Sequence, residues 1–147
     1  MTSQNAARIL VVDDDPDICQ NLSDILSDLG YQVDYAQNGP AALELVDQRR
    51  YDVALLDLKM PGMDGVTLHR EIKKRRAGTV SLLVTAYASD ATAEEALAAG
   101  AWKILAKPVD FRKLLSLVDE ALEQPLVTTL DQLAKKHEGA DRQPGLS

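Results

Sequence analysis

Residues 9–18 read Ile-Leu-Val-Val-Asp-Asp-Asp-Pro-Asp-Ile. Four consecutive apolar side chains, Ile9 to Val12, form a short run expected of a strand buried on both faces, as in a parallel sheet. Asp15 followed by Pro16 is a helix start, an N-cap residue and then a proline in the first turn. The helix that follows carries Ile18, Leu22, Ile25, Leu26 and Leu29 on one stripe, and Gly30 ends it. Strand, acidic turn and amphipathic helix make one unit, and the rest of the chain reads as repeats of that unit.

In residues 31–36, Tyr31, Val33 and Tyr35 alternate with Gln32 and Asp34, the period of an exposed edge strand. A helix is expected over residues 40–49 and a buried strand over 53–56. Next come a helix over 65–75, a strand over 80–85, an alanine-rich helix over 91–99 and a strand over 102–106. Phe111, Leu114, Leu115, Val118 and Leu122 recur at helical spacing and mark the last helix of the series. Alternating strands and helices predict an α/β fold, a doubly wound five-stranded parallel sheet with helices on both faces. The helical segments share a pattern but not a sequence, so no solenoid repeat is present. The domain is expected over residues 7–123. Pro125 should stop the last helix. In the extension 124–147, Thr129 and Gln132 have capping-box spacing, so a short extra helix is expected over 129–137 and a disordered tail from Gly139.

Composition narrows the function classes. Of 147 residues 46% are hydrophobic, with one Phe, one Trp and four Tyr, so the core must be mainly aliphatic. No apolar run approaches the ~20 residues that span a bilayer, and no long apolar stretch follows Met1 to Arg8, so neither a membrane nor a secretory route is expected. Cys19 is the only cysteine, which rules out an intrachain disulfide and fits a cytoplasmic setting. Beside the apolar stripe of the first helix, it reads as a small packing residue. The net charge is −7, and all of the excess lies in residues 1–124, which disfavours direct contact with nucleic acid. The basic run Lys73-Lys74-Arg75-Arg76 closes a predicted helix, where cations suit the macrodipole, and reads as a solvated face. His69 and His137 are isolated and read as surface positions.

Chemistry concentrates at the ends of the predicted strands. Asp13 and Asp14 follow the first strand, Asp57 ends the third, Thr85 ends the fourth and Lys107 follows the fifth. In an open parallel sheet these carboxyl ends line the ligand crevice. Asp15 is accounted for as a cap, but two adjacent acids before it exceed that need. Three carboxylates held together take up protons or recruit a cation. Hard oxygen ligands without His or Cys select Mg²⁺ or a similar ion. A carboxylate beside such an ion, with an ammonium and a hydroxyl opposite, suits phosphoryl transfer, with Asp57 as nucleophile.

Ile9 to Asp15, Leu56-Asp-Leu-Lys-Met-Pro-Gly-Met-Asp-Gly65, Val84-Thr-Ala86, Gly100-Ala101 and Lys107-Pro108 together carry a resemblance to the receiver domain of two-component response regulators. The likeness covers residues 7–123 in order, identity and spacing. It implies a flavodoxin-like strand order 2-1-3-4-5. It implies that Asp57 accepts phosphate from a histidine kinase or phosphotransfer protein. Asp14, Asp57 and the Lys59 carbonyl would ligate Mg²⁺, with Asp13 acting mainly through metal-bound water. It further implies that Lys107 contacts the phosphoryl group, that Thr85 hydrogen-bonds it and draws the next loop inward, and that Lys107-Pro108 is cis. Where the family often has an aromatic switch residue, three before the lysine, this chain has Ile104, with Trp102 and Tyr87 close by.

The helix over 91–99 has one large apolar side chain, Leu97, so its packing is expected to be weak, and an output through a downstream protein or a second copy of the chain is expected on residues 85–123. By resemblance, Lys59 and Tyr87 would flank the path of attacking water and slow loss of the phosphoryl group. Only 23 residues follow Gln124, so no DNA-binding or catalytic output domain is expected after it. A Mg²⁺-dependent phosphatase would use a similar set but needs a second aspartate two residues after the nucleophile, where Lys59 stands. A flavodoxin-like cofactor binder is opposed by Asp13-Asp-Asp-Pro-Asp17, which would repel phosphate. A phosphorylation-independent scaffold would not need all five functional residues.

Overall fold

In the computed structural model, residues 6–86 and 91–123 are described. The strands are β1 (Arg8–Val12), β2 (Gln32–Ala36), β3 (Val53–Leu56), β4 (Val80–Thr85) and β5 (Lys103–Ala106). The helices between and after them are α1 (Pro16–Asp28), α2 (Gly39–Gln48), α3 (Gly65–Arg75), α4 (Ala91–Ala98) and α5 (Phe111–Glu123). All strand pairs are parallel, in the order β2-β1-β3-β4-β5. The expected α/β architecture and order are therefore present. The expected helix over 129–137, the tail and His137 lie outside the described residues.

Side chains of a strand point alternately to its two faces, and here both faces are covered. Leu10, Val12, Ala54, Leu56 and Leu83 pack with Ala42, Leu43 and Val46 of α2, Leu68 and Ile72 of α3, and Ala93 and Ala96 of α4. Ile9, Val11, Val53, Leu55, Leu82, Val84 and Leu105 pack with Cys19, Leu22 and Leu26 of α1 and Leu114, Val118 and Ala121 of α5. These two aliphatic layers explain why the central strands read as unbroken apolar runs.

Local chemistry sets the helix ends. Asp15 accepts a hydrogen bond from the Asp17 N–H at 2.9 Å at the start of α1. At its end, Gly30 takes φ +98°, its N–H bonds the Ser27 carbonyl at 2.9 Å, and the Tyr31 N–H bonds the Leu26 carbonyl at 3.2 Å. Leu29 occupies the cap of that turn and is 55% exposed, so it drops off the buried stripe expected of it. In the edge strand, Tyr31 and Val33 pack on the α1 and α5 side, whereas Tyr35 stays exposed and reaches Gln20 at 3.4 Å. The basic run is engaged with neighbouring groups: Arg75 pairs with Asp47 at 2.9 Å, Lys74 with Glu71 at 3.3 Å, and Arg76 donates to the Val46 carbonyl at 3.0 Å.

A further sequence expectation is overturned. His69 is not a surface residue; it is 3% exposed, beneath α4. Its Nδ1 lies 2.8 Å from Ser81 Oγ and its Nε2 3.0 Å from the Ala99 carbonyl oxygen, so partners on β4 and after α4 satisfy a ring that burial would otherwise penalise. Along α3 it falls on the same stripe as Val66 and Ile72, which explains why it points inward.

Candidate functional site

Four strand ends build the site. The Asp13 N–H bonds the Ala36 carbonyl at 3.2 Å and the Asp57 N–H bonds the Val12 carbonyl at 2.9 Å, which continues the sheet pairing past β1 and β3. The Lys107 N–H bonds the Thr85 carbonyl at 2.8 Å, which does the same between β4 and β5. Backbone register, not side-chain attraction, therefore delivers Asp13, Asp57, Thr85 and Lys107 to one edge. The Lys107–Pro108 peptide is cis, as the resemblance implied.

The loop after β3 is shaped by Gly65. A Cβ there would stand 2.5 Å from the Asp57 carbonyl oxygen and 2.8 Å from the Leu58 Cα, so only glycine allows α3 to start against the strand end. The Gly65 N–H closes the loop on the Leu58 carbonyl at 2.9 Å. Asp64 caps α3 by accepting from the Thr67 N–H at 2.9 Å. The sequence signal for this close approach is the place of Gly65 directly after the cap Asp64.

Carboxylate oxygens of Asp13, Asp14 and Asp57 lie within 4.8 Å of one another. Asp13 and Asp57 are buried, while Asp14 is exposed toward the crevice. Asp13 Oδ1 accepts from the Asp15 N–H at 2.9 Å, and Asp13 Oδ2 accepts from Lys107 Nζ at 2.8 Å. The same ammonium is 3.5 Å from Asp57 Oδ2. Burial, and then the charge of Asp13, push the Asp57 carboxyl up from 3.8 to about 6, while Lys107 and the Lys59 N–H pull against that rise. For Lys107, burial alone would lower the pKa, but the Asp13 hydrogen bond and the Asp57 charge outweigh it and raise it. Thr85 is fully buried beside this edge, and Lys59 is exposed just beyond Asp57.

The donor set fits a hard divalent cation. Three carboxylates converge with no His or Cys among them, and one ammonium does not balance their charge. Cys19 lies under the site, fully buried, and its Sγ is 3.2 Å from the Asp13 carbonyl oxygen. Burial pushes that thiol up to about 11, so it is a protonated packing residue, as its position suggested. Ile104, at the position where the family often has an aromatic residue, is half-buried on the α3 and α4 side; Tyr87, expected with Lys59 to flank the water path, lies outside the described residues.

Known proteins resemble this chain in sequence and fold. The profile of the response regulator receiver domain matches residues 9–119. The chain is 46% identical over 114 residues to the transcriptional regulatory protein ZraR of Klebsiella oxytoca, covering 78% of this chain and 26% of that protein. It is 39% identical over 123 residues to the regulatory protein AtoC of Escherichia coli K12, covering 84% of this chain and 26% of that one. The chain thus spans about a quarter of the length of the curated relatives it matches. Among solved structures, a CheY-like receiver domain protein from Methanospirillum hungatei JF-1 superposes with a TM-score of 0.78 at 36% identity, covering 82% of this chain and 96% of that one. NtrX from Brucella abortus superposes with a TM-score of 0.80 at 31% identity, covering 86% and 29%.

Proposed function

Because the chain belongs to the response regulator receiver domain family, we propose that it is a phosphorylation-dependent switch in which Asp57 takes a phosphoryl group from a histidine kinase or phosphotransfer protein. The observation that carries this reading is the convergence of Asp13, Asp14 and Asp57 within 4.8 Å, with Lys107 Nζ 2.8 Å from one carboxylate and 3.5 Å from another. In the transfer, a bond forms from an Asp57 oxygen to phosphorus. The bond from phosphorus to the donor's imidazole nitrogen breaks, and its electron pair stays on nitrogen. The carboxylates of Asp13, Asp14 and Asp57, with the Lys59 carbonyl, would hold Mg²⁺, which supplies neutralisation of phosphoryl charge when bound. Lys107 meets the charge on one oxygen and Thr85 donates its hydroxyl to another. The reaction is the domain's own modification, a signalling event rather than turnover of a separate substrate.

The output reading follows from α4. Its buried side chains are only Ala93 and Ala96, and Leu97 is 42% exposed, so little apolar area holds it. Contact of Thr85 with the phosphoryl group shifts the population of this helix and changes a protein-binding face within residues 85–123, for a protein target or a second copy. The relatives are named transcriptional regulatory proteins. With its acidic balance, this domain would reach nucleic acid only through such a partner or a wider regulator.

The deciding experiment is intact-mass spectrometry after acetyl phosphate with Mg²⁺. Wild type should gain one phosphoryl group and Asp57→Asn none. An unchanged adduct on Asp57→Asn would place the acceptor elsewhere.

A further inference from the structure

We infer that His69 is the positioning residue that pins the C-terminal end of α4, so that the helix swings about that end when the domain switches. The inference rests, for the swing only, on the proposed shift of α4 upon phosphorylation.

The Ala99 carbonyl is one of the helix-end acceptors left without an intrahelical donor. The Gly100 N–H goes to the Leu97 carbonyl at 3.0 Å and the Ala101 N–H to the Ala96 carbonyl at 3.1 Å, with Gly100 at φ +107°. What closes on Ala99 is His69 Nε2, at 3.0 Å. A carbonyl only accepts, so Nε2 carries the proton and Nδ1 accepts from the Ser81 hydroxyl at 2.8 Å. The ring is thus fixed in one tautomer between the start of β4 and the end of α4. Both His69 and Ser81 are nearly fully buried, where an unmade hydrogen bond is most costly.

Gly100 closes the turn at that end at φ +107°, a conformation that L side chains rarely adopt. Gly100 sits against Lys73 and His69, and any side chain there would meet the Lys73 ammonium group. Arg70 and Glu95 pair at 3.5 Å across the same α3–α4 seam, in solvent, where such a pair adds little. Because α4 buries only alanines, the His69 bridge adds a directional contact where apolar packing is slight. The bridge lies at the far end of α4 from Thr85, so in the proposed shift the near end responds while the far end stays.

Hydrogen exchange by mass spectrometry tests this on the whole chain, as wild type, His69→Leu and His69→Gln, with and without acetyl phosphate and Mg²⁺. Without phosphodonor, His69→Leu should speed exchange in residues 96–101 by about tenfold, while peptides from β1 and β3 stay unchanged. His69→Gln, which keeps a donor for Ala99, should restore most of the protection. Equal exchange in wild type and His69→Leu would overturn the pin, as would faster exchange throughout the domain. With phosphodonor, wild type should change in residues 85–95 and keep its protection in 96–101; loss of protection across both overturns the pivot. If wild type takes up phosphate and neither segment changes, the proposed shift of α4 fails, while the comparison without phosphodonor still decides the pin.

Discussion

Lys107 is held more closely by Asp13 than by Asp57: its ammonium is 2.8 Å from the Asp13 carboxylate and 3.5 Å from that of Asp57. The lysine side chain is 19% exposed and that of Asp13 4%, so the contact is largely withdrawn from water. The ammonium that the proposed mechanism uses on the phosphoryl group is, before transfer, the partner of a neighbouring acid. In that mechanism, phosphorylation would exchange one anionic partner of Lys107 for another and leave no buried cation unpaired.

Removing that ammonium leaves Asp13 and Asp57 buried without their cation. Lys107→Met should lower stability by about 2 kcal/mol at pH 7 without divalent cation. Part of the loss should return when Mg²⁺ is added. Urea unfolding with and without Mg²⁺ measures both effects. A variant as stable as wild type in the absence of Mg²⁺ would show that the contact contributes nothing net.

The carboxylate cluster predicts the response to metal. Mg²⁺ that binds only the folded state should stabilise it by about 2.7 kcal/mol at 100 times Kd. Asp14→Ala should abolish that gain and, by relieving repulsion, leave the metal-free protein as stable as wild type or more so. Melting curves at increasing Mg²⁺ read this directly, and a wild-type midpoint that ignores Mg²⁺ sinks the prediction.

Gly65→Ala sets two known effects against each other. Alanine at a helix start should add about 0.5–1 kcal/mol, but its Cβ would press on the Asp57 carbonyl oxygen and the Leu58 Cα, both backbone and unable to yield. Overpacking of this kind costs about 1–3 kcal/mol. Net destabilisation should come with slower phosphorylation, because the strain falls on Asp57 itself. Urea midpoints and the rate of acetyl phosphate uptake test the pair. A stabilised variant with normal uptake would mean that the loop relaxes freely.

The pH dependence of His69 has a definite sign. Burial first, and then Lys73 and Arg70 on the same helix, lower its pKa from 6.5. A folded pKa below the unfolded one favours folding above about 6.5 and withdraws that support as pH falls through the lowered value. The stability advantage of wild type over His69→Gln should therefore shrink on going from pH 7.5 to pH 5. Urea titrations of the two proteins across that range isolate the difference from other titrating groups. A constant gap would show that the ring does not titrate there.

Which segments become strands, which become helices and where most of them stop are properties of local sequence. Ile9 to Val12 can only be buried on both sides, Asp15-Pro16 can only begin a helix, and Gly30 can adopt the positive φ its turn needs at no steric cost. The acids and the lysine could be assigned to one edge because parallel strands put all their carboxyl ends together. The order of the strands came from resemblance, since burial periodicity carries no information on which strand lies beside which. Tertiary structure alone decided that Lys107 meets Asp13 across 94 residues of sequence, and at a shorter distance than Asp57. It alone decided the place of His69. Its spacing from Val66 and Ile72 put it on the inward stripe, but an imidazole is buried only if partners await it. The Ser81 hydroxyl and the Ala99 carbonyl, 12 and 30 residues away, come into reach only when β4 and α4 close over α3. Local pattern sets the direction in which a side chain points, and the free energy of leaving it there depends on atoms that the folded chain brings from elsewhere.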